Sequence, residues 1–371
     1  MTVRAISTPS SAWQIHPARD FPDWSDRWRA LNEQGARTPA LDTRLIAALI
    51  DEFADADVHL AVLGNPAAPM AMLLVRRASA IAWNVFTADF APIAPVVAAR
   101  DVDLGAEWPR LLSRLPGMPQ MLLASDLDPD IVPRPRPSPL LSIRDDFVTH
   151  RLALDTSFDR YLAERSRNFR SNINRQRNLL SRRGLQTRLE MVTAPEAMSQ
   201  LVREHASLER SGWKGEAGTA IDPSTSSGRF FERLMTEMAA TGDAIGCRYL
   251  YDETVVAAYL GIRGFGAELA LKWAYDERYS DTSPGHHMRL EMLRRLFEQC
   301  EVDRFEFMGG GSWQNHWSTD TRAVYQLHCY RSSAAVSAHL LWKAAKSRLG
   351  LRRSDPRALV LPAPKGASGP A

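Results

Sequence analysis

Only three cysteines occur in the 371 residues, Cys247, Cys300 and Cys329, far apart and without paired spacing. That pattern excludes a disulfide framework and a cysteine zinc site, and it leaves three reduced thiols with no metal implied. No apolar run is long enough to span a bilayer, and Met1 to Ser11 lacks the hydrophobic stretch of a secretory signal, so the expected location is the cytoplasm. The formal charge is only +3, so any attraction for anions must come from local clusters rather than from the whole molecule. No serine or cysteine triad signature is present, which is no objection to a reaction that passes a group directly between bound substrates and so requires no covalent enzyme nucleophile.

What is present is an ordinary globular composition, 45% apolar and 24% charged, in a chain too long for one core. Prolines 129, 133, 135, 137 and 139 alternate with Arg134 and Arg136 in a segment that favours polyproline II and cannot join a central strand. The boundary is placed there, giving domains over 1–139 and 140–350, with a Pro, Gly and Ala-rich tail over 351–371 expected to be disordered.

In the first half, Asp23 to Asn32 and Leu41 to Ala54 read as amphipathic helices. Val58 to Leu63, Met70 to Arg76 and Ala80 to Phe86 read as an antiparallel meander, Asp89 to Val97 as a loop, Ala106 to Leu115 as a helix and Gln120 to Ala124 as a short strand. No catalytic constellation stands out here. In the second half, Phe147 to Leu154 is a strand, and Phe158 to Arg183 reads as one long helix with Arg165, Arg167, Arg170, Arg175, Arg177, Arg182 and Arg183 on it. Such a face is either merely solvated or a docking surface for an anionic substrate or carrier.

The stretch from Gly264 to Gly311 carries the most information. Alternation places Leu269, Leu271, Trp273 and Tyr275 on one strand face and Glu268, Ala270 and Lys272 on the other. Ser283, Pro284 and Gly285 then suit the N-cap and first turn of a helix whose stripe is Met288, Leu290, Leu293, Leu296 and Phe297. The amides of Gly285, His286 and His287 are expected to lack intrahelical partners, an arrangement that binds phosphate. A short strand, Arg304 to Met308, runs into Gly309-Gly310-Gly311.

Four pieces in order carry a family resemblance over about residues 150 to 330: the arginine-rich helix; Glu209-Arg210-Ser211-Gly212-Trp213-Lys214 with Gly218-Thr219-Ala220-Ile221; Asp276-Glu277-Arg278-Tyr279 leading to Ser283-Pro284-Gly285; and Phe305-Glu306-Phe307-Met308-Gly309-Gly310 followed by Trp317. The chain resembles the BioF2-like or CelD-like acetyltransferases of the GNAT superfamily, relatives of the FemABX aminoacyltransferases. The resemblance implies an α/β (α+β) tandem GNAT-like fold, a mixed sheet flanked by helices, with the first copy degenerate. It also implies acetyl-CoA or another acyl-CoA as co-substrate and no metal. The cofactor-binding set is then Trp273, Ala274, Tyr275, Ser283, Pro284, Gly285, His286, His287 and Met288, with the pyrophosphate at the helix start. The candidates for proton transfer are Asp276, His286, His287 and Glu209, while Trp213, Lys214, Trp313, Gln314 and His316 fall on the acceptor side. At its closing motif the sequence departs from the family, with Trp313-Gln314 where a Tyr-Lys pair is usual.

The function this implies is acyl transfer from acyl-CoA to a small-molecule or glycan amine, such as an amino sugar of envelope or exopolysaccharide metabolism, with no DNA partner and no membrane span. Two alternatives remain open: a FemABX-like transferase taking its donor from aminoacyl-tRNA, and a non-catalytic module that lays the basic helix on nucleic acid.

Overall fold

The computed structural model of the protein describes residues 12–88, 90–211 and 221–348. Trp213, Lys214 and the Pro, Gly and Ala-rich tail lie outside the described residues.

In the first half, β1 (Trp13–Pro17) leads through a 3-10 turn to α1 (Ser25–Gln34) and α2 (Thr43–Phe53). The strands β2 (Val58–Asn65), β3 (Ala68–Arg77) and β4 (Ala82–Val85) follow, then β5 (Val96–Ala98), α3 (Leu104–Arg114) and β6 (Met121–Leu127). The second half runs β7 (Leu141–Ala153), α4 (Phe158–Ala163), α5 (Arg167–Arg182), β8 (Thr187–Val192), α6 (Pro195–Arg210), α7 (Ser226–Ala239), β9 (Ala244–Tyr251), β10 (Thr254–Gly264) and β11 (Ala267–Tyr275). It ends with α8 (Pro284–Gln299), β12 (Arg304–Glu306), β13 (Asp320–Tyr330) and α9 (Ser333–Arg348). No helix among the described residues is long and apolar enough to cross a membrane.

The sequence Asp42-Thr43 starts α2 because the Asp42 carboxylate accepts the Arg44 amide at 2.9 Å, satisfying a donor that the first turn leaves open. The basic segment read as one helix is two. Ser166 breaks it, its hydroxyl accepting the Phe169 amide at 3.1 Å, so the side chain competes with the backbone and starts α5 afresh. The short strands β1 and β5 escaped the sequence reading, β5 lying in the segment read as a loop.

The topology is an internal repeat. A strand, two helices, three antiparallel strands, a helix and a strand parallel to the preceding one occur once as β1-α1-α2-β2-β3-β4-α3-β6 and again as β8-α6-α7-β9-β10-β11-α8-β12. The main sheet order β1-β2-β3-β4-β6-β13-β7-β12-β11-β10-β9-β8 therefore presents the two copies as mirror images in sequence order, with β5 on the side of β3. The strand after each copy crosses over: β7 pairs with β12 of the second copy and β13 with β6 of the first, while β7 and β13 pair with each other. Each copy thus covers the other's edge, which would otherwise offer unpaired backbone groups for aggregation.

On one face, α1 and α2 join α6 and α7 in a shared core, with Phe53 5.6 Å from Phe230 and Phe90 5.5 Å from Phe231. On the other face α3 and α8 cover separate cores. The strict alternation expected along β11 fails at a bulge. Lys272 faces Leu260 and Ala270 faces Gly261, which leaves Leu271 as the extra residue. Leu269 and Leu271 consequently face the shared core, whereas Trp273 turns to the α8 side and Lys272 to the shared-core side. A bulge reverses the pleat beyond it, and here it aims Trp273 into the site.

Candidate active site

The strands β11 and β12 pair in parallel only from Ala267↔Arg304 to Leu269↔Glu306 and then diverge. Aromatic side chains fill the opening: Trp273 lies 6.2 Å from Phe305 and 6.5 Å from Trp313, and Phe307 lies 5.9 Å from Trp313, all ring centroid to ring centroid. At one side of the opening a 3-10 turn, Glu277–Thr282, delivers the chain to α8.

Ser283 occupies the N-cap position but does not cap. Its backbone is left-handed, φ 52°, and its hydroxyl accepts from Gln176 of α5 at 2.6 Å instead of from the first turn. The expectation of three free amides narrows to one. The amides of His286 and His287 both donate to the Ser283 carbonyl, at 2.9 and 3.3 Å, because the left-handed residue turns that carbonyl under the helix. Pro284 has no N–H, so the Gly285 amide is the first-turn donor that has no acceptor among the described residues. A Cβ at Gly285 would meet nothing closer than the Tyr275 side chain at 3.6 Å, so the position is open rather than packed shut. The helix start therefore offers one free N–H and the positive end of a dipole, with no carboxylate in its first turn.

Burial pushes the His286 pKa down to about 3, with Arg289, His287 and His316 adding repulsion, and the His287 pKa down to about 4, with Arg177 adding to it. Both imidazoles are neutral at pH 7. The His287 Nε2 is sealed from solvent without a partner. Asp276 is held as a cap: Arg278 donates to it from the backbone at 3.0 Å and from the guanidinium at 2.7 Å, which keeps its carboxyl below the usual range. Glu209 lies on the other face of the sheet, buried at the end of α6. It accepts the Ile221 amide at 2.9 Å and lies 3.8 Å from Lys272 Nζ, which itself rests over the Phe90 ring at 4.9 Å. Where the two copies meet, a cavity of about 240 Å³ is lined by Asp128, Asp130, Arg151, Arg304, Glu306 and Arg322 among others.

The structure gathers His286, Trp273, Trp313 and His316 on the α8 side. The His286 ring lies 5.8 Å from Trp317, and His316 stacks with Phe169 of α5 at 6.4 Å. Ala274 and Met288 are buried in the cores on either side of the sheet, while Tyr275 is exposed beside Gly285. Gln314, assigned to the acceptor side, is buried and used internally: its amide donates to the carbonyls of Met308 and Gly309 at 3.0 and 3.1 Å, and its oxygen lies 3.0 Å from His150 Nδ1. It braces the glycine turn, where Gly309 takes φ 72°. Three residues went unnoticed in sequence: His150 in that brace, Gln176 beneath Ser283, and Arg289, whose guanidinium lies 4.0 Å from the Trp313 ring centre and 4.4 Å from that of Trp273. An arginine at helical spacing from Leu293 and Leu296, inside an apolar stripe, was the signal available for the last.

Residues 167–317 match the family model for an acetyltransferase (GNAT) domain. Over that span the chain is similar to a GNAT acetyltransferase domain. The match begins at the start of α5, spans the second copy of the repeat and ends at Trp317. No curated protein matches the sequence. Among solved structures, FemX superposes with a TM-score of 0.53 at 11% identity, covering 86% of this chain and 98% of its own. The structure of L-PGS from Bacillus licheniformis gives 0.51 at 12%, covering 88% and 97%, and a conserved protein of unknown function from Bacteroides thetaiotaomicron gives 0.51 at 10%, covering 87% and 100%. At these identities the likeness is one of fold. The GNAT domain and the mixed sheet of two repeated copies agree with the fold expected from the sequence.

Proposed function

We propose that the protein transfers an acyl group from acetyl-CoA or another acyl-CoA to an amine. The observation that carries the proposal is the helix start at Gly285, open and free of carboxylates, beside strands that diverge. Anionic phosphates are favoured at such an end, and a thioester reaching between β11 and β12 from there would meet an acceptor entering from the other face of the sheet. On that face lie Glu209, Lys272 and the charged cavity at the junction of the copies. Of the four residues considered for proton transfer, Asp276 is occupied as a cap, and His286 and His287 are poor bases when buried. Glu209 is the best placed to accept the ammonium proton as the amine attacks the acyl carbon and the thiolate leaves with the electron pair of the C–S bond. The acceptor class that the resemblance brings with it is an amino sugar, in the cytoplasm.

The test is release of free CoA thiol with a panel of amines, comparing wild type with Gly285→Val. Loss of acyl-CoA binding by tenfold or more in a folded variant is the expected result, and unchanged binding measured by calorimetry sinks the donor site. One observation favours a second reading: α5 sets its arginines beside the start of α8, with Arg183 paired to Asp281 and Gln176 bonded to Ser283. Consumption of aminoacyl-tRNA with no CoA release would establish that reading instead.

A further inference from the structure

Among the described residues, Arg289 is a buried arginine with no carboxylate partner. Its exposure is 6%, and its guanidinium lies among three indoles, 4.4 Å from the ring centre of Trp273, 4.0 Å from Trp313 and 5.0 Å from Trp317. Arginine carries five N–H donors in a plane and no acceptor. None of the five has an acceptor among the described residues, and Nε is sealed from solvent. The other well-buried arginines are handled differently. Arg322 holds Asp128 and Glu306, Arg263 holds Glu268 and Glu301, Arg248 holds Glu190 and Glu204, and Arg44 holds Asp42 and Asp243. A protein that pairs each of those cations twice leaves this one with aromatic faces alone.

Stacking indoles attract a cation through the ring face but leave its in-plane donors unused. A leucine or methionine in the same volume would avoid the desolvation of an unpaired charge, so packing does not account for the residue. Its position is the informative part. Arg289 is one helical turn beyond Gly285, and two of its three indoles, Trp273 and Trp313, stand in the opening between β11 and β12. Trp273 and Trp313 are both half-buried, whereas Trp317 is fully buried, so the first two form the solvent side of the cage.

We propose that Arg289 and its three tryptophans form a binding site for a carboxylate borne by one of the two reactants, either at the far end of the acyl chain or on the amine acceptor. The planar fork of the guanidinium matches the two oxygens of a carboxylate, and the aromatic walls fix the plane in which it is presented. Burial lowers the Arg289 pKa to about 9, so the group stays cationic at neutral pH and gains from an incoming negative charge. The choice between the two sources rests on the acyltransferase reading above, but the site itself does not.

The experiment uses the full chain and three pairs of probes. Succinate against succinamide, read by thermal shift, tests the site alone: succinate should raise the melting temperature of wild type, succinamide should not, and Arg289→Met should lose the difference. Succinyl-CoA against butyryl-CoA by calorimetry, and β-alanine against β-alaninamide as acceptors, identify the source, with a preference of tenfold or more expected in one pair. Arg289→Lys keeps a charge without the fork, so it serves if the methionine variant fails to fold; it should retain donor binding and lose most of the preference. Equal responses to succinate and succinamide, or a succinate shift that persists in both variants, overturn the proposal. Should Gly285→Val leave CoA binding intact while the succinate effect holds, the donor reading falls and the carboxylate site stands.

Discussion

The two copies of the repeat differ most where the same helix begins. In the first copy, Asp103 caps α3, its carboxylate accepting the Ala106 amide at 3.4 Å, and Glu107 follows in the first turn. A Cβ at Gly105 would lie 2.8 Å from Pro135, so the proline segment between the halves covers that end. In the second copy the equivalent helix, α8, has no carboxylate in its first turn, no capping side chain, and at Gly285 a glycine with room around it. A helix start attracts anions only while its own donors are unused and uncovered. The first copy satisfies that end internally, whereas the second keeps it open. The parallel pairs β4–β6 and β11–β12 each span three residue pairs, but the first includes the fully buried Trp83 and Leu122, whereas a partly exposed Trp313 stands beside the second.

The largest effect should come from the buried Glu209 near the end of α6, where the corresponding helix of the first copy, α1, carries the exposed Glu33. Glu209→Gln should lower kcat by about a hundredfold, within the range for removal of a general base, while the donor KM holds. Steady-state kinetics at fixed acyl-CoA decide it, and an unaltered kcat leaves Glu209 structural. Making the second copy resemble the first comes next. Gly285→Asp adds a carboxylate at the helix start and should weaken acyl-CoA binding by about thirtyfold, roughly the loss of one charge-assisted hydrogen bond of about 2 kcal/mol. Calorimetry that finds wild-type affinity breaks the comparison.

The reciprocal change, Asp103→Ala, should cost about 1 kcal/mol of stability through loss of a cap, seen as a lower denaturant midpoint, with donor affinity untouched. A pH titration of stability sharpens the contrast further. The folded pKa values of His286 and His287, about 3 and about 4, lie below the ordinary 6.5, so their contribution is complete above pH 6.5. It is lost as pH falls from 6.5 toward 4, where the unfolded chain binds protons that the folded one refuses. A His286→Gln, His287→Gln double variant should flatten the slope of unfolding free energy over that interval, and an identical slope would place the acid sensitivity elsewhere. The smallest effect belongs to α5. Replacing Arg175, Arg177 and Arg182 with Gln should raise the KM of an anionic acceptor roughly threefold at low salt and negligibly at high salt, since exposed charges are screened. A neutral acceptor should show no change.

Much of the fold was legible because it rests on local patterns. The meander β2-β3-β4 and the helix over Pro284 to Gln299 follow from alternation, turn residues and an apolar stripe, each of which depends on near neighbours. The break at Ser166 was missed because a serine inside a helical pattern is silent until its hydroxyl finds the Phe169 amide. The phase change along β11 was missed for a related reason, since the extra residue at Leu271 exists only relative to β10.

The sequence by itself determined the repeat's second copy, the glycine at the helix start and the residue types beside it, because capping chemistry and periodicity act within a few residues. Tertiary structure alone decided that one amide rather than three is free, since the left-handed Ser283 redirects its own carbonyl. It also decided that Gln314 braces a turn 6 residues away against His150 of a distant strand. It placed Glu209 and Arg289 on opposite faces of one sheet and withheld a carboxylate from the arginine. Burial and pairing of a charge depend on which residues arrive from far along the chain, and no local pattern carries that information.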